Sequence, residues 1–215
     1  MPKVHVSNVA ISLDGFSAGP GQDIDNPLGV NGPDLMAAFF ETKTFHEQHG
    51  TEGGETGIDD DFSRKSMTGN GAWILGRNMF GPIRGAWPNE DWKGWWGDDP
   101  PYHVPTFVLT HHAREAIDMK GGTTFHFVTD GIESALEQAR AAAGDLDVRI
   151  GGGPSTIRQF LSARLIDELH LVLRPIFMGR GEKLFEGLDL RELGYVCDKW
   201  VPGERATHLL IRREN

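Results

Sequence analysis

The sequence predicts an α/β protein of three layers, with helices on both faces of a mixed sheet. Three observations carry that expectation. Strand-like runs alternate with amphipathic helical stretches through the middle of the chain, an antiparallel hairpin closes its end, and glycine gathers at the joints. Glycine supplies 28 of 215 residues, or 13%, against a usual ~7%. No G-X-Y period accompanies it, so these glycines serve turns and close backbone approaches. Hydrophobic residues make up 39% and charged residues 24%, a composition that excludes wholesale disorder.

The elements follow in order. Residues 3–11 alternate and are rich in Val and Ile, which predicts a strand, and Leu13-Asp14-Gly15 follows as a turn. A polar Gly/Pro/Asn/Asp stretch runs to Pro33. Asp34 is placed to cap a helix over about 34–48, where Leu35, Ala38, Phe39, Thr42 and Phe45 share a face. Residues 50–61 are acidic and glycine-rich and read as an exposed loop. The apolar run 72–76 is a buried strand, and a region rich in Trp, Gly and Pro spans 81–104. Strands are expected at 105–110 and 123–128. Asp130 with Glu133 resembles a capping box for a helix over about 131–143. A buried strand at 147–150 leads through Gly151-Gly152-Gly153 into a helix over 154–163. Strands at 166–175, 193–201 and 205–213 end the chain, the last two around Pro202-Gly203. One domain with insertions accounts for this order.

Charge and cysteine usage exclude several roles. With 21 basic and 31 acidic residues the net charge is −10, and the pI is near 5.3. Duplex nucleic acid requires a cationic stripe that this balance does not offer. No run of ~18 apolar residues occurs, and the polar start MPKVHVSN lacks a signal-peptide apolar region. The expectation is a cytoplasmic protein with no membrane partner. Cys197, the one cysteine, makes no internal disulfide or thiolate metal cluster.

Two strand-end turns carry the sharpest chemistry. In 147–161, three glycines allow a ligand close to the backbone, and the following helix offers free N–H groups and a positive dipole end. Pro154 suits the first helical turn, and Ser155 and Thr156 add hydroxyls. The alternative is a tight turn with no ligand. At Gly76-Arg77-Asn78, a second strand meets a helix, and Arg77 supplies a permanent cation suited to phosphate. A surface ion pair is its bland alternative. Neither turn is a G-x-G-x-x-G or Walker A loop. Together they point to a dinucleotide laid across strand ends.

Five motifs in order carry a family resemblance: Ser12-Leu13-Asp14-Gly15, Ile74-Leu75-Gly76-Arg77, Ile150-Gly151-Gly152-Gly153, Leu165 to Leu171, and Gly179 to Phe185. From about residue 3 to 213, interrupted by 20–70 and 81–104, the chain resembles the dihydrofolate reductase-like family. The nearest branch is the reductase domain at the C-terminus of riboflavin-biosynthesis deaminase-reductases. The resemblance implies a mainly parallel sheet ending in antiparallel strands, NADPH as cofactor and a homodimer. It places Gly76, Arg77 and Asn78 on the cofactor phosphates, and Gly151, Gly152, Gly153, Ser155 and Thr156 on the pyrophosphate side. Thr110 and His111 fall at the adenosine end; Ala10, Ile11 and Leu13 lie near the nicotinamide. The chain departs from the family at Met79, where dihydrofolate reductases usually carry threonine. The deaminase motif H-x-E with P-C-x-x-C is also missing.

The implied chemistry is hydride transfer to a C=N or C=O bond of a pyrimidine, pterin or sugar-linked small molecule, with a protein group supplying the proton. The pyrimidine reductase reaction of riboflavin biosynthesis is the nearest named activity. Dihydrofolate reduction and a non-catalytic binding protein on the same fold are the alternatives. Asp34 and Asp14 are the candidate acids: Asp34 opens a segment similar to the substrate-facing helix of dihydrofolate reductases, with helix capping as its other explanation. Asp14 is equally explained as a turn residue. Arg174 and Lys183 are candidates for a substrate phosphate. The tryptophans of 81–104 either stack on a ring or close one end of the core. His46 and His49 are spaced i, i+3 and miss the H-E-x-x-H zinc motif, so no metal is expected.

Overall fold

The computed structural model describes residues 2–83, 85–89 and 91–214. Strand β1 (Val4–Ser12) turns into the short β2 (Phe16–Ala18), and three helices follow: α1 (Gly32–Phe40), α2 (Lys43–Gln48) and α3 (Ile58–Ser66). Then come β3 (Asn70–Gly76), α4 (Arg77–Phe80), β4 (Pro105–Leu109), β5 (Ile117–Asp118), β6 (Thr124–Val128), α5 (Ile132–Ala143) and β7 (Asp147–Gly152). The chain ends with α6 (Pro154–Ser162), β8 (Glu168–Arg174), β9 (Glu182–Lys183), β10 (Tyr195–Pro202) and β11 (Thr207–Arg213).

Nine strands form one sheet in the order β10-β11-β8-β1-β7-β3-β4-β6-β5. The six from β8 to β6 run parallel. The β10–β11 hairpin is antiparallel on one edge and β5 on the other. The chain steps outward from β3 through β4 to β6, then returns to insert β7 between β1 and β3. This is the expected mixed sheet, and the return opens a crevice at the carboxyl ends of the central strands.

Strand alternation divides the core. On one face Ala72, Ile74, Val148, Ile150, Leu169 and Leu171 meet Ala135, Leu136 and Ala139 of α5 and Ile157, Phe160 and Leu161 of α6. On the other, Trp73, Leu75, Val108 and Phe125 pack with Phe80 and Tyr102, and Ala38 of α1 meets Val172. The three-layer expectation therefore holds, with helices on both faces.

Four local expectations are corrected. The helix over 34–48 is two helices, because Thr42 is extended (φ −76°, ψ 148°) and its Oγ1 accepts from Phe45 N at 3.2 Å, starting α2 afresh. Asp34 is not a cap: Asn31 holds that position in the left-handed region, with Pro33 and Asp34 in the first turn. The stretch 50–61 is not all exposed loop. Its end begins α3, and Asp59 and Asp60 are buried. Acidic composition reads as solvated only until partners are known; Asp60 accepts from Thr44 N at 2.7 Å and Arg64 at 2.8 Å, and Glu204 caps the helix from afar through Ile58 N and Asp59 N. Asp130 and Glu133 form no capping box, since Gly131 is the N-cap of α5 and makes no side-chain cap bond.

Candidate active site

A cavity of about 900 Å³ occupies the crevice. Its first half is built from helix starts. Gly131 before α5 and Gly153 before α6 both cap without a side chain, so first-turn N–H groups of two helices are left to whatever the cavity holds. Thr129, Ile132, Ser155 and Thr156 lie on the same wall. The glycine turn has no room for side chains at its base: a Cβ on Gly76 would collide with the Thr156 hydroxyl, and one on Gly151 with Leu75 and Trp73. At Gly153 a Cβ would meet nothing within 4 Å, so its open side faces the crevice. Arg77 stacks over the Trp87 ring at 3.6 Å and donates to Thr110 Oγ1 at 3.4 Å.

The second half is aromatic. Phe39, Phe40, Phe45, His49, Trp95, Trp96 and Tyr102 line it, with Ser7, Asn8, Met67 and Trp73 on the sheet side. Trp95 is fixed by its Nε1–H to Met79 O at 2.9 Å, and its ring lies 4.9 Å from that of Trp96. The Trp-rich segment thus does two jobs. Trp87 and Trp92 close the core around Phe80, while Trp95 and Trp96 face the cavity. Burial pushes the Tyr102 hydroxyl pKa well up, so it stays a neutral wall.

The structure gathers most of the sequence-selected residues. Ala10, Gly76, Arg77, Asn78, Thr110, His111, Gly151, Gly152, Gly153, Ser155 and Thr156 all line this one cavity. Ile11 does not; it is 6% exposed and packs in the main core. Leu13 points away from the cavity into solvent, half exposed. Asp34 is exposed on α1 outside the cavity. Asp14 ties down a neighbouring loop, accepting from Ser12 Oγ at 2.6 Å, Met178 N at 3.0 Å and Gly179 N at 2.7 Å. The Ser12 hydroxyl first, then the two amides, hold its carboxyl down to about 2. Arg174 and Lys183 also lie outside the lining. Among the described residues no group of three His, Cys, Asp or Glu side chains is arranged for a metal, and no helix is long and apolar enough to cross a membrane.

Sequence reasoning missed Arg149. It sits mid-strand on β7, 6% exposed, with its guanidinium 4.0 Å from the Trp73 ring centre and at the cavity wall. Burial presses its pKa down to about 9, with Tyr102 acting in the opposite direction. The one available signal was a lone arginine inside a strand otherwise expected to be apolar.

A crevice at a strand-order reversal, walled by glycine turns and helix N-termini, defines an α/β protein with its cavity at the carboxyl ends of the central strands. The chain belongs to the RibD C-terminal domain family, whose model matches residues 2–208. That membership supports a reductase role. Among similar solved structures, a Shewanella sp. PV-4 protein assigned to riboflavin biosynthesis is 21% identical, covers 100% of both chains and has a TM-score of 0.59. Dihydrofolate reductase from Enterococcus faecalis, complexed with NADP(H) and RAB-propyl, is 16% identical over 99% of this chain and 97% of that one, with a TM-score of 0.54. These two likenesses establish the dihydrofolate reductase-like fold. No curated protein matches the sequence.

Proposed function

We propose that the protein is an NADPH-dependent reductase that delivers hydride to a C=N or C=O bond of a flat heterocyclic small molecule. The observation that carries this reading is the convergence of two uncapped helix N-termini, the open Gly153 turn and Arg77 on one half of a cavity whose other half is aromatic. The donor set fits a dinucleotide: backbone N–H groups of α5 and α6, the hydroxyls of Ser155 and Thr156, and Arg77 and Arg158 are all on the wall. Bound there, the cofactor would supply the hydride. The chain's own residues do the rest. The helix starts and Arg77 offset the acidic chain for an anionic ligand. Trp95, Trp96 and Phe45 orient a planar ring and exclude water.

The two carboxylates singled out by sequence lie outside this cavity, so we assign the proton to a water beside the substrate, not to Asp34 or Asp14. We also propose that the chain is one domain with insertions at about 20–70 and 81–104, acts in the cytoplasm and forms a homodimer. The family resemblance supports the homodimer, and light scattering tests it. The primary test is titration with NADPH and NADH, followed by calorimetry and by quenching of the six tryptophans. Saturable micromolar binding of NADPH is the expected result. Absence of binding by either nucleotide would remove the reductase reading and leave the fold.

A further inference from the structure

Arg149 presents an unusual balance of donors and charge. A guanidinium carries five N–H donors. Here Nη1 donates to Ser66 O at 2.6 Å and to Met67 Sδ at 3.2 Å, and Nη2 donates to Ser7 O at 3.1 Å. Nε is buried with no hydrogen-bond partner, so three of the five donors have acceptors. Among the described residues Arg149 joins no ion pair, and the Tyr102 hydroxyl near it is held neutral by burial. The last carbonyl of α3, the Trp73 ring face and two further acceptors stabilise the charge only in part. An unpaired buried cation is among the costlier groups a fold can carry. Its place on the wall of the aromatic half says what would offset it.

We propose that Arg149 is a specificity-determining residue that selects substrates carrying a carboxylate, or an equivalent delocalised oxyanion, on a flat ring. The inference rests on the reductase reading in one respect: it assigns the aromatic half of the cavity to the substrate. Trp95, Trp96 and Tyr102 receive the ring, and the unused N–H donors of Arg149 receive the anion. Arginine suits this role because its planar fork matches a planar oxyanion. Arg77 and Arg158 stand on the glycine-turn half with the cofactor donors, which leaves Arg149 to the substrate.

The test uses the full chain and a matched pair of probes, 2-naphthoate and 2-naphthamide, titrated calorimetrically with and without saturating NADPH. The carboxylate is expected to bind at least about tenfold more tightly than the amide, a difference of about 1.4 kcal/mol. Arg149→Met, similar in length and apolar, should abolish that preference while leaving NADPH affinity unchanged. Arg149→Lys should keep part of it, since the charge survives without the fork. Equal binding of the two probes by the wild-type protein would overturn the proposal without any variant. So would a preference that survives Arg149→Met in a folded protein, or a variant that loses thermal stability yet keeps its selectivity, because Arg149 would then only cap α3. Loss of NADPH binding with the carboxylate preference intact would sink the reductase reading and leave this one standing.

Discussion

His170 Nε2 lies 2.9 Å from His208 Nδ1, and the groups on either side fix which nitrogen carries each proton. The backbone N–H of Asn8 donates to His170 Nδ1 at 3.2 Å, so His170 must carry its proton on Nε2 and donate to His208. His208 then donates from Nε2 to Asp59 Oδ1 at 2.7 Å. Phe62 of α3 stacks on the His208 ring at 4.2 Å and lies tilted against the His170 ring at 4.7 Å. This directional chain joins α3 to the irregularity in β1 between Val6 and Val9, where Asn8 takes φ 57° and lines the cavity. It therefore positions cavity wall through two histidines that do not touch the cavity themselves.

The same chain predicts a pH dependence of stability. Burial first, then His208, Arg149 and Lys65, push the His170 pKa down from its ordinary value to about 3. Burial also lowers His5. A histidine whose folded pKa lies below its unfolded value binds its proton more readily when unfolded. Stability is then fully present above pH ~6.5 and falls as pH drops toward 3. Urea denaturation at pH 7.5, 6.0 and 5.0 should show a loss on the order of a few kcal/mol across that window. The paired carboxylates add their own losses only at lower pH, because Asp14, Asp60 and Glu204 are shifted down from ordinary carboxylate values. In His170→Gln the slope between pH 7 and 5 should flatten, and an unchanged slope would remove His170 as its source.

Gly153→Ala separates folding from cofactor binding. The residue has φ −81°, which any L-residue adopts, and a Cβ there meets nothing within 4 Å. The variant should melt within a few degrees of wild type. If a pyrophosphate lies against the turn, the added methyl takes its place, and NADPH affinity should fall at least about tenfold, or ~1.4 kcal/mol. Retained affinity would mean that the nucleotide does not use this backbone.

Asp14 and Asp34 should behave differently from each other and from catalytic acids. Asp34→Asn changes an exposed side chain outside the cavity, so NADPH binding, turnover and melting temperature should all stay near wild type. Asp14→Asn loses charge in a carboxylate that accepts three hydrogen bonds and anchors the 178–179 loop. Its melting temperature should drop, while substrate turnover per folded molecule persists. A selective loss of turnover in Asp34→Asn would return that residue to the reaction.

How far the sequence spoke depended on the range of the contacts involved. Strand alternation in 3–11 and 205–213 and the Gly151–Gly153 turn are local patterns, and they located the sheet and half of the cavity. The break at Thr42 turns on one side-chain cap inside an otherwise helical apolar period. The burial of Asp59 depends on Glu204, Arg205 and His208, distant in sequence, and no window along the chain contains both sides. The missing cap of α5 was the costliest misreading, because Gly131 leaves open the helix start that faces the crevice. Arg149 escaped notice because a strand arginine looks the same whether it reaches solvent or a buried cavity wall.

Arg77 should be the strongest single lever on the cofactor. Its guanidinium is stacked on Trp87 at 3.6 Å and donates to Thr110, so it is held in place before any ligand arrives. Pre-positioning lowers the entropy lost on binding. Arg77→Ala removes a charge-assisted contact to phosphate and should weaken NADPH binding by roughly 1–3 kcal/mol. It should also cost about 0.5–1 kcal/mol of stability through the lost ring contact. Arg77→Lys restores charge without the planar stack and should recover only part of the affinity. Trp87→Leu completes the test: it leaves the cation but frees its side chain, and should weaken NADPH less than Arg77→Ala does. Calorimetric titrations of the three variants at low and high salt give the order, and the wild-type advantage should shrink with salt. An Arg77→Ala protein with wild-type NADPH affinity would show that the phosphates are held by the helix starts alone.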